Sequence, residues 1–355
     1  MSSILEYKCP NCASDIKFDP ASQNFKCESC DAVFTEQELN DIHNFEQNFN
    51  ETKTYSFYGA QKENNDAQAG VKEYVCHSCA ARLTLDETTA ASECPYCGSP
   101  IIMNQNLAGE NTPDCVIPFK LDKKAAGEAL KAFCKGKLLL PSNFVDDNKI
   151  REMQGVYAPF WLYDCDADGA VLFEATKVRH WSNSDYNFTE TRYYNVYRSG
   201  NLGFQNIPVD ASTKMDDAYM DGVEPYNYSE VTEFNPGYLL GYTAEKYDVS
   251  AEESFPRAET RVISSTEDAL RDTVIGYTTV SKRMSNISPR DVKFKYALMP
   301  VWMLNTKYNG EMYTFAVNGQ TGKVSGKLPI DKKKFWLFFG GIAAAIIAIG
   351  QFFIF

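Results

Sequence analysis

Apolar and polar positions change rhythm several times along the 355 residues. Residues 1–35 and 72–105 each set two close cysteine pairs about a short β-hairpin. Between them, residues 36–71 hold a short helix and then an Asn-, Gln- and Glu-rich run with little apolar periodicity, which predicts a polar linker. From residue 106 to 330, aromatic and β-branched runs alternate with Gly, Asn and Asp turns, and two helical stretches interrupt them. Asp122 opens the first, with Ala126, Leu130 and Phe133 on one face. The second opens at Ser265 through Ser265-x-x-Asp268, with Leu270, Val274 and Tyr277 on one face.

The aromatic region repeats itself. Pro159, Trp161, Asp164 and Gly169 correspond to Pro300, Trp302, Asn305 and Gly310 at a constant offset of 141 residues. Asp168-Gly169 and Asn309-Gly310 each predict a two-residue hairpin turn, because both central positions need positive φ. A helix precedes each hairpin, so residues 106–330 are expected to form an α+β platform of two pseudo-repeated lobes, with the tryptophans as core anchors.

The last rhythm is uniform. Residues 335–355 carry no charged side chain, and Gln351 is the one strongly polar residue. As a helix this stretch would measure about 31 Å, against about 30 Å for a bilayer core. Lys332, Lys333 and Lys334 precede it, and lysines favour the cytoplasmic end of a span. The expectation is a single-pass C-terminal anchor over residues 331–355 in the cell membrane, with the bulk of the chain cytoplasmic.

Cysteine supplies the candidate chemistry. Eight of eleven lie in C-x2-C pairs: Cys9 and Cys12, Cys27 and Cys30, Cys76 and Cys79, Cys94 and Cys97. Each member of the second set follows its counterpart by 67 residues, so one four-cysteine site occurs twice. Two thiolates on a tight turn, completed by two more across a hairpin, form the closed tetrahedron of structural zinc. Two zinc ions per chain are expected, with iron or disulfides as the competing readings. A closed site has no open position for water, so it contributes folding energy rather than catalysis. Cys115, Cys134 and Cys165 stand outside the pattern.

Other chemistries find little footing. Gly319-Gln-Thr-Gly322-Lys323 lacks the spacing and the hydroxyl residue of a phosphate loop and reads as a hairpin turn. The three histidines form no series with serine or carboxylate, and no catalytic or cofactor-binding residue is assigned. The formal charge is −12. Residues 1–110 hold 7 Lys+Arg against 17 Asp+Glu, a net of −10, which opposes nucleic-acid binding despite the Arg/Tyr interleaving of residues 192–198.

The segments CHSCAARL, CPYCGSP, GVYAPFWLYD, GNLGFQNIPVDAS, YLLGYTAEKYDV and MPVWMLNTKYNGEMYTFAVNGQTGKVSGKLPI resemble a group of bacterial, Firmicutes-type membrane proteins. These are described by a transcription-factor-IIB-type zinc ribbon and sometimes labelled primosomal helicase-like. The missing nucleotide loop gives the helicase label no backing. Some relatives lie beside phage-shock and stomatin/prohibitin/flotillin-type genes, so the resemblance implies such proteins as partners, in envelope stress or membrane organisation. The expected architecture is multidomain: two small β zinc ribbons, the α+β platform and one transmembrane helix in contact with lipid. The expected function is a membrane-anchored, non-enzymatic zinc-ribbon adaptor for protein partners; the alternative is a membrane-tethered nucleic-acid-binding ribbon protein.

Overall fold

The computed structural model describes residues 112–354 except 142–143, 145–149 and 151; before them it describes 9–12, 14, 16–19, 24–27, 29–35, 37–39, 41–42, 57–58, 71–75, 82–86, 89–93 and 100–102. The early strands are short: β1 (Ile16–Asp19), β2 (Asn24–Cys27), β3 (Val33–Phe34), β4 (Phe57–Tyr58), β5 (Val71–Val75), β6 (Arg82–Asp86), β7 (Thr89–Glu93), β8 (Pro100–Ile102) and β9 (Cys115–Val116). Then come helix α1 (Lys123–Cys134), the long strands β10 (Gln154–Ser182) and β11 (Asn187–Asp210), and the single helical turn and a half of α2 (Asp217–Gly222). The chain continues through β12 (Thr232–Glu233), β13 (Thr243–Glu245), α3 (Ala251–Asp272), β14 (Thr279–Tyr308), β15 (Glu311–Asn318), β16 (Val324–Gly326) and α4 (Lys332–Ile354).

Among the described residues this is a mostly β protein, with 45% in strands and few helices, which corrects the expected class. Part of the reason is Asp168-Gly169, which makes no turn. It lies in the middle of β10, where a Cβ on Gly169 would come within 2.6 Å of the Thr266 methyl of α3. Glycine is required there by a close approach of helix to strand, so one strand of 29 residues replaces the expected hairpin. Asn309-Gly310 does turn, with φ of 50° and 86°, and Tyr308 faces Glu311 across it. Ser265 likewise opens no helix. It lies inside α3, whose true start is a capping box between Ser250 and Glu253.

The C-terminal stretch is helical, and Asp331 Oδ1 accepts from the Lys333 N–H at its start. Among the described residues, however, no helix is long and apolar enough to cross a membrane. The single-pass anchor is corrected accordingly, together with the membrane location and the cytoplasmic placement that rested on it.

The chain divides into two compact units. The first comprises Met1–Tyr58, Tyr163–Ile207 and Pro256–Lys293. In it β1, β2 and β3 form a small antiparallel sheet, and β4 pairs in parallel with β14 through Val292 and Phe57. Asp168 fixes the middle of β10 by accepting from Asn201 at 2.8 Å and from Arg290 at 2.7 Å.

The second unit comprises Gly59–Leu162, Pro208–Phe255 and Phe294–Phe355. Both faces of its central strands are covered. Ala158, Phe160 and Leu162 pack on one side with Ala297, Met299, Val301 and Tyr226. On the other, Trp161 meets Tyr247, Phe294 and Tyr296 at ring distances of 4.8 to 5.5 Å.

An internal repeat is visible in this unit bond by bond. β13 pairs in parallel with β10 as Val156↔Thr243 and Tyr157↔Ala244, while β9 pairs in parallel with β14 as Ala297↔Cys115 and Leu298↔Val116. The strand numbers differ by 141 (297 − 156) and their partners by 128 (243 − 115), and the same offsets recur elsewhere. Trp161 Nε1 donates to the Val249 carbonyl at 2.9 Å, and Trp302 Nε1 to that of Leu121 at 2.9 Å. The Pro159 carbonyl accepts from Ala211 and that of Pro300 from Gly319; Ala211 and Gly319 in turn accept from Asp248 with Val249 and from Lys120 with Leu121. Each tryptophan therefore seats on the segment leading into the other repeat's helix. Trp302, Leu304, Phe315 and Val317 accordingly pack against Ala126 and Leu130 of α1.

Candidate metal centre

In the first unit the hairpin of β1 and β2, with register Ile16↔Cys27 to Asp19↔Asn24, brings two loops to one end. Each loop closes in the same way. The Cys9 N–H donates to the Ser14 carbonyl at 2.7 Å, and the Cys27 N–H to the Ala32 carbonyl at 2.9 Å, five residues on in both cases. Asp31 adopts a φ of 58° in the second loop and donates to the Cys27 carbonyl, a backbone state that aspartate tolerates better than most residues.

These loops place the Sγ atoms of Cys9, Cys12, Cys27 and Cys30 within 4.8 Å of one another. Cys9 and Cys30 are 3.6 Å apart and Cys12 and Cys27 3.5 Å. A disulfide needs about 2.05 Å, so neither pair is one. Four sulfurs around zinc at about 2.3 Å would be separated by about 3.8 Å, and the group fits that size. One four-cysteine group able to hold a metal ion is thus present. Cys9 and Cys27 are buried while Cys12 and Cys30 are exposed. Burial pushes the Cys9 thiol up to about 12 and raises that of Cys30, while hydrogen bonds from Ser14 lower that of Cys12 to about 6. A cation at the centre would remove the cost of gathering buried sulfur here, because it favours the thiolate form.

The floor of the centre is apolar. Phe34 and Leu39 are buried with Cys9 and Cys27. Leu39 is carried by the helical residues 37–39, which follow a capping box in which Glu38 accepts from the Thr35 N–H at 2.8 Å.

Cys76, Cys79, Cys94 and Cys97 lie outside the described residues. The strands flanking the last two are described. β7 and β8 pair as Ser92↔Ile101 and Glu93↔Pro100, which is the register of β2 and β3, Phe25↔Phe34 and Lys26↔Val33, advanced by 67 on both strands. Among the described residues the remaining cysteines join no such group: Cys115 and Cys165 are buried in β9 and β10, where burial and neighbouring aspartates push each thiol up to about 11. Burial also raises Cys134, at the end of α1. High thiol values of this kind belong to inert, packed cysteines.

One residue near the centre could not be read from the sequence. Asn195, in β11, bonds to both spacer residues of the first cysteine pair, donating from its backbone N–H to Asn11 Oδ1 at 2.8 Å and from Nδ2 to the Pro10 carbonyl. It lies 184 positions from Asn11, and no periodicity or motif signals the contact.

No family model matches the chain, and no solved structure matches it. It is similar to the "Uncharacterized protein YdjG" of Bacillus subtilis (strain 168), with 38% identity over 347 residues that cover 96% of this chain and 94% of the relative. At that identity over nearly the whole of both chains, this protein belongs to the YdjG family.

Proposed function

We propose that this chain is a non-enzymatic zinc-ribbon scaffold that binds protein partners through its ribbons. The observation that carries the reading is the closed four-cysteine group at Cys9, Cys12, Cys27 and Cys30, in which all the ligand positions of a tetrahedral ion are taken by sulfur. A second zinc at Cys76, Cys79, Cys94 and Cys97 completes the proposal, supported by the 67-residue repeat and the shared strand register. A net charge of −10 over residues 1–110 suits a basic protein surface and opposes phosphate. The resemblance of the sequence adds phage-shock-type and stomatin/prohibitin/flotillin-type proteins as candidate partners.

One feature favours a second reading, binding of single-stranded nucleic acid. On the arm formed by β10 and β11, exposed Trp181 stacks on Phe188 at 5.4 Å with Arg179 over its ring. Aromatic faces with arginine are suited to stacking on bases.

The test uses the full chain beside two variants, Cys9→Ser with Cys12→Ser, and Cys94→Ser with Cys97→Ser. Two zinc ions are expected in the parent and one in each variant. The two candidate partners, purified, should bind the parent and lose affinity for a variant. No retention of either partner by the zinc-loaded parent, combined with oligonucleotide binding that weakens steeply with salt and is lost in Trp181→Ala, would replace the scaffold reading with the second one.

A further inference from the structure

Within the first unit β11 pairs, among the described residues, with β10 alone. Its outer edge presents backbone groups that no strand takes up, and Asn195 is half-buried on that edge. The Asn195 N–H points at Asn11 Oδ1 and its side-chain amide at the Pro10 carbonyl. Pro10 and Asn11 are the whole spacer between Cys9 and Cys12. One strand residue thus grips the two residues whose conformation sets the angle between two sulfur ligands.

We propose that Asn195 is a positioning residue of the metal centre, and that zinc in the first ribbon and docking of that ribbon on the edge of β11 support each other. The argument has two steps. A metal ion fixes the Cys9–Cys12 turn, because both sulfurs must reach vertices of one tetrahedron. Asn195 binds that turn through two separate hydrogen bonds and so favours the conformation the metal also favours. Coupling of this kind is reciprocal: whatever factor docking adds to zinc affinity, zinc adds to docking. Groups that orient ligands from outside the coordination sphere are worth about 10- to 100-fold in metal affinity.

The proposal goes beyond the scaffold reading and needs from it only that the first centre takes zinc. In the full chain, Asn195→Ala removes the amide donor and keeps the backbone N–H. Competition with a chromophoric chelator should show zinc at the first centre weakened about tenfold or more, with the ion assigned by its absence in Cys9→Ser/Cys12→Ser. Hydrogen exchange should show the Asn195 amide of the parent protected when zinc is bound and unprotected after chelation. Should Asn195→Ala fail to fold, Asn11→Ala removes the other acceptor from the ribbon side and carries the same expectation. Unchanged zinc affinity, or an Asn195 amide equally protected with and without zinc, overturns the proposal while leaving the scaffold reading intact. A chain that binds no zinc at all overturns both.

Discussion

Trp161 and Trp302 do the same work from equivalent positions. Each indole is nearly or fully enclosed, and each donates its one N–H to a carbonyl two residues ahead of a helix. Replacing either by Phe removes the donor and leaves a carbonyl short of a partner, which costs about 1–3 kcal/mol. Trp161→Phe and Trp302→Phe should therefore lower the denaturant midpoint of the second unit by similar amounts, with unchanged slope; an effect at one site and not the other would show that the repeat is not energetic. These residues were legible as core anchors, because an apolar ring repeated at a fixed offset with Pro two residues earlier has a packing explanation. The partners were not legible, since Val249 and Leu121 offer backbone oxygen, which any residue carries. Asn195 escaped for the same reason: its spacing from Pro10 follows from the path of β11, not from local pattern.

Among the elements, the two glycines that looked alike in sequence separate clearly. Gly310 has a φ of 86° with nothing within 4 Å of a built Cβ, whereas Gly169 sits under Thr266, Ile287 and Leu270. Gly310→Ala should cost about 1–2 kcal/mol for backbone strain, and Gly310→Asn less, since asparagine tolerates the left-handed region. Gly169→Ala should cost about 1–3 kcal/mol by overpacking, and Gly169→Asn more than Ala; thermal unfolding of the four variants reads the reversal directly. The dipeptide signal was sound for the turn and blind to the strand, because a helix arriving from residues 251–272 creates the second need for glycine. The loops of the second unit add a pH dependence. Lys120 and then Gln320 hold the Glu230 carboxyl below its usual value. The unfolded chain takes up that proton first, so the contribution is complete above the ordinary glutamate range and is lost as pH falls through it towards the lowered folded value. Glu230→Gln should flatten that part of the acid limb of a stability–pH profile, and an unchanged acid limb would show that the contact carries no weight.

Across the whole molecule, the repeated cysteine spacing announced the one described metal group, and the 141-residue offset announced the repeat, because both are local patterns copied along the chain. The overall class was harder to read. Strands of 24 to 30 residues hold stretches whose composition resembles loops, and a uniform apolar tail resembles a span, although among the described residues no helix is long and apolar enough to cross a membrane. Removing metal by chelation should loosen residues 9–42, where Cys9, Cys27, Phe34 and Leu39 share one small core, before the second unit is affected. Proteolysis of zinc-free protein should cut there first, and a first cut near Trp302 would contradict this order. The exchanged seating of the tryptophans also governs when the chain can fold during synthesis. Leu121 leaves the ribosome 181 residues ahead of the indole it must receive, and Trp161 waits 88 residues for Val249. Closing such long loops is slow. A stalled nascent chain with Val249 but not Trp302 outside the ribosome should still leave α1 open to protease at Lys131. The interval in which helper proteins must shield this molecule is thus set by how quickly the last third of the message is read.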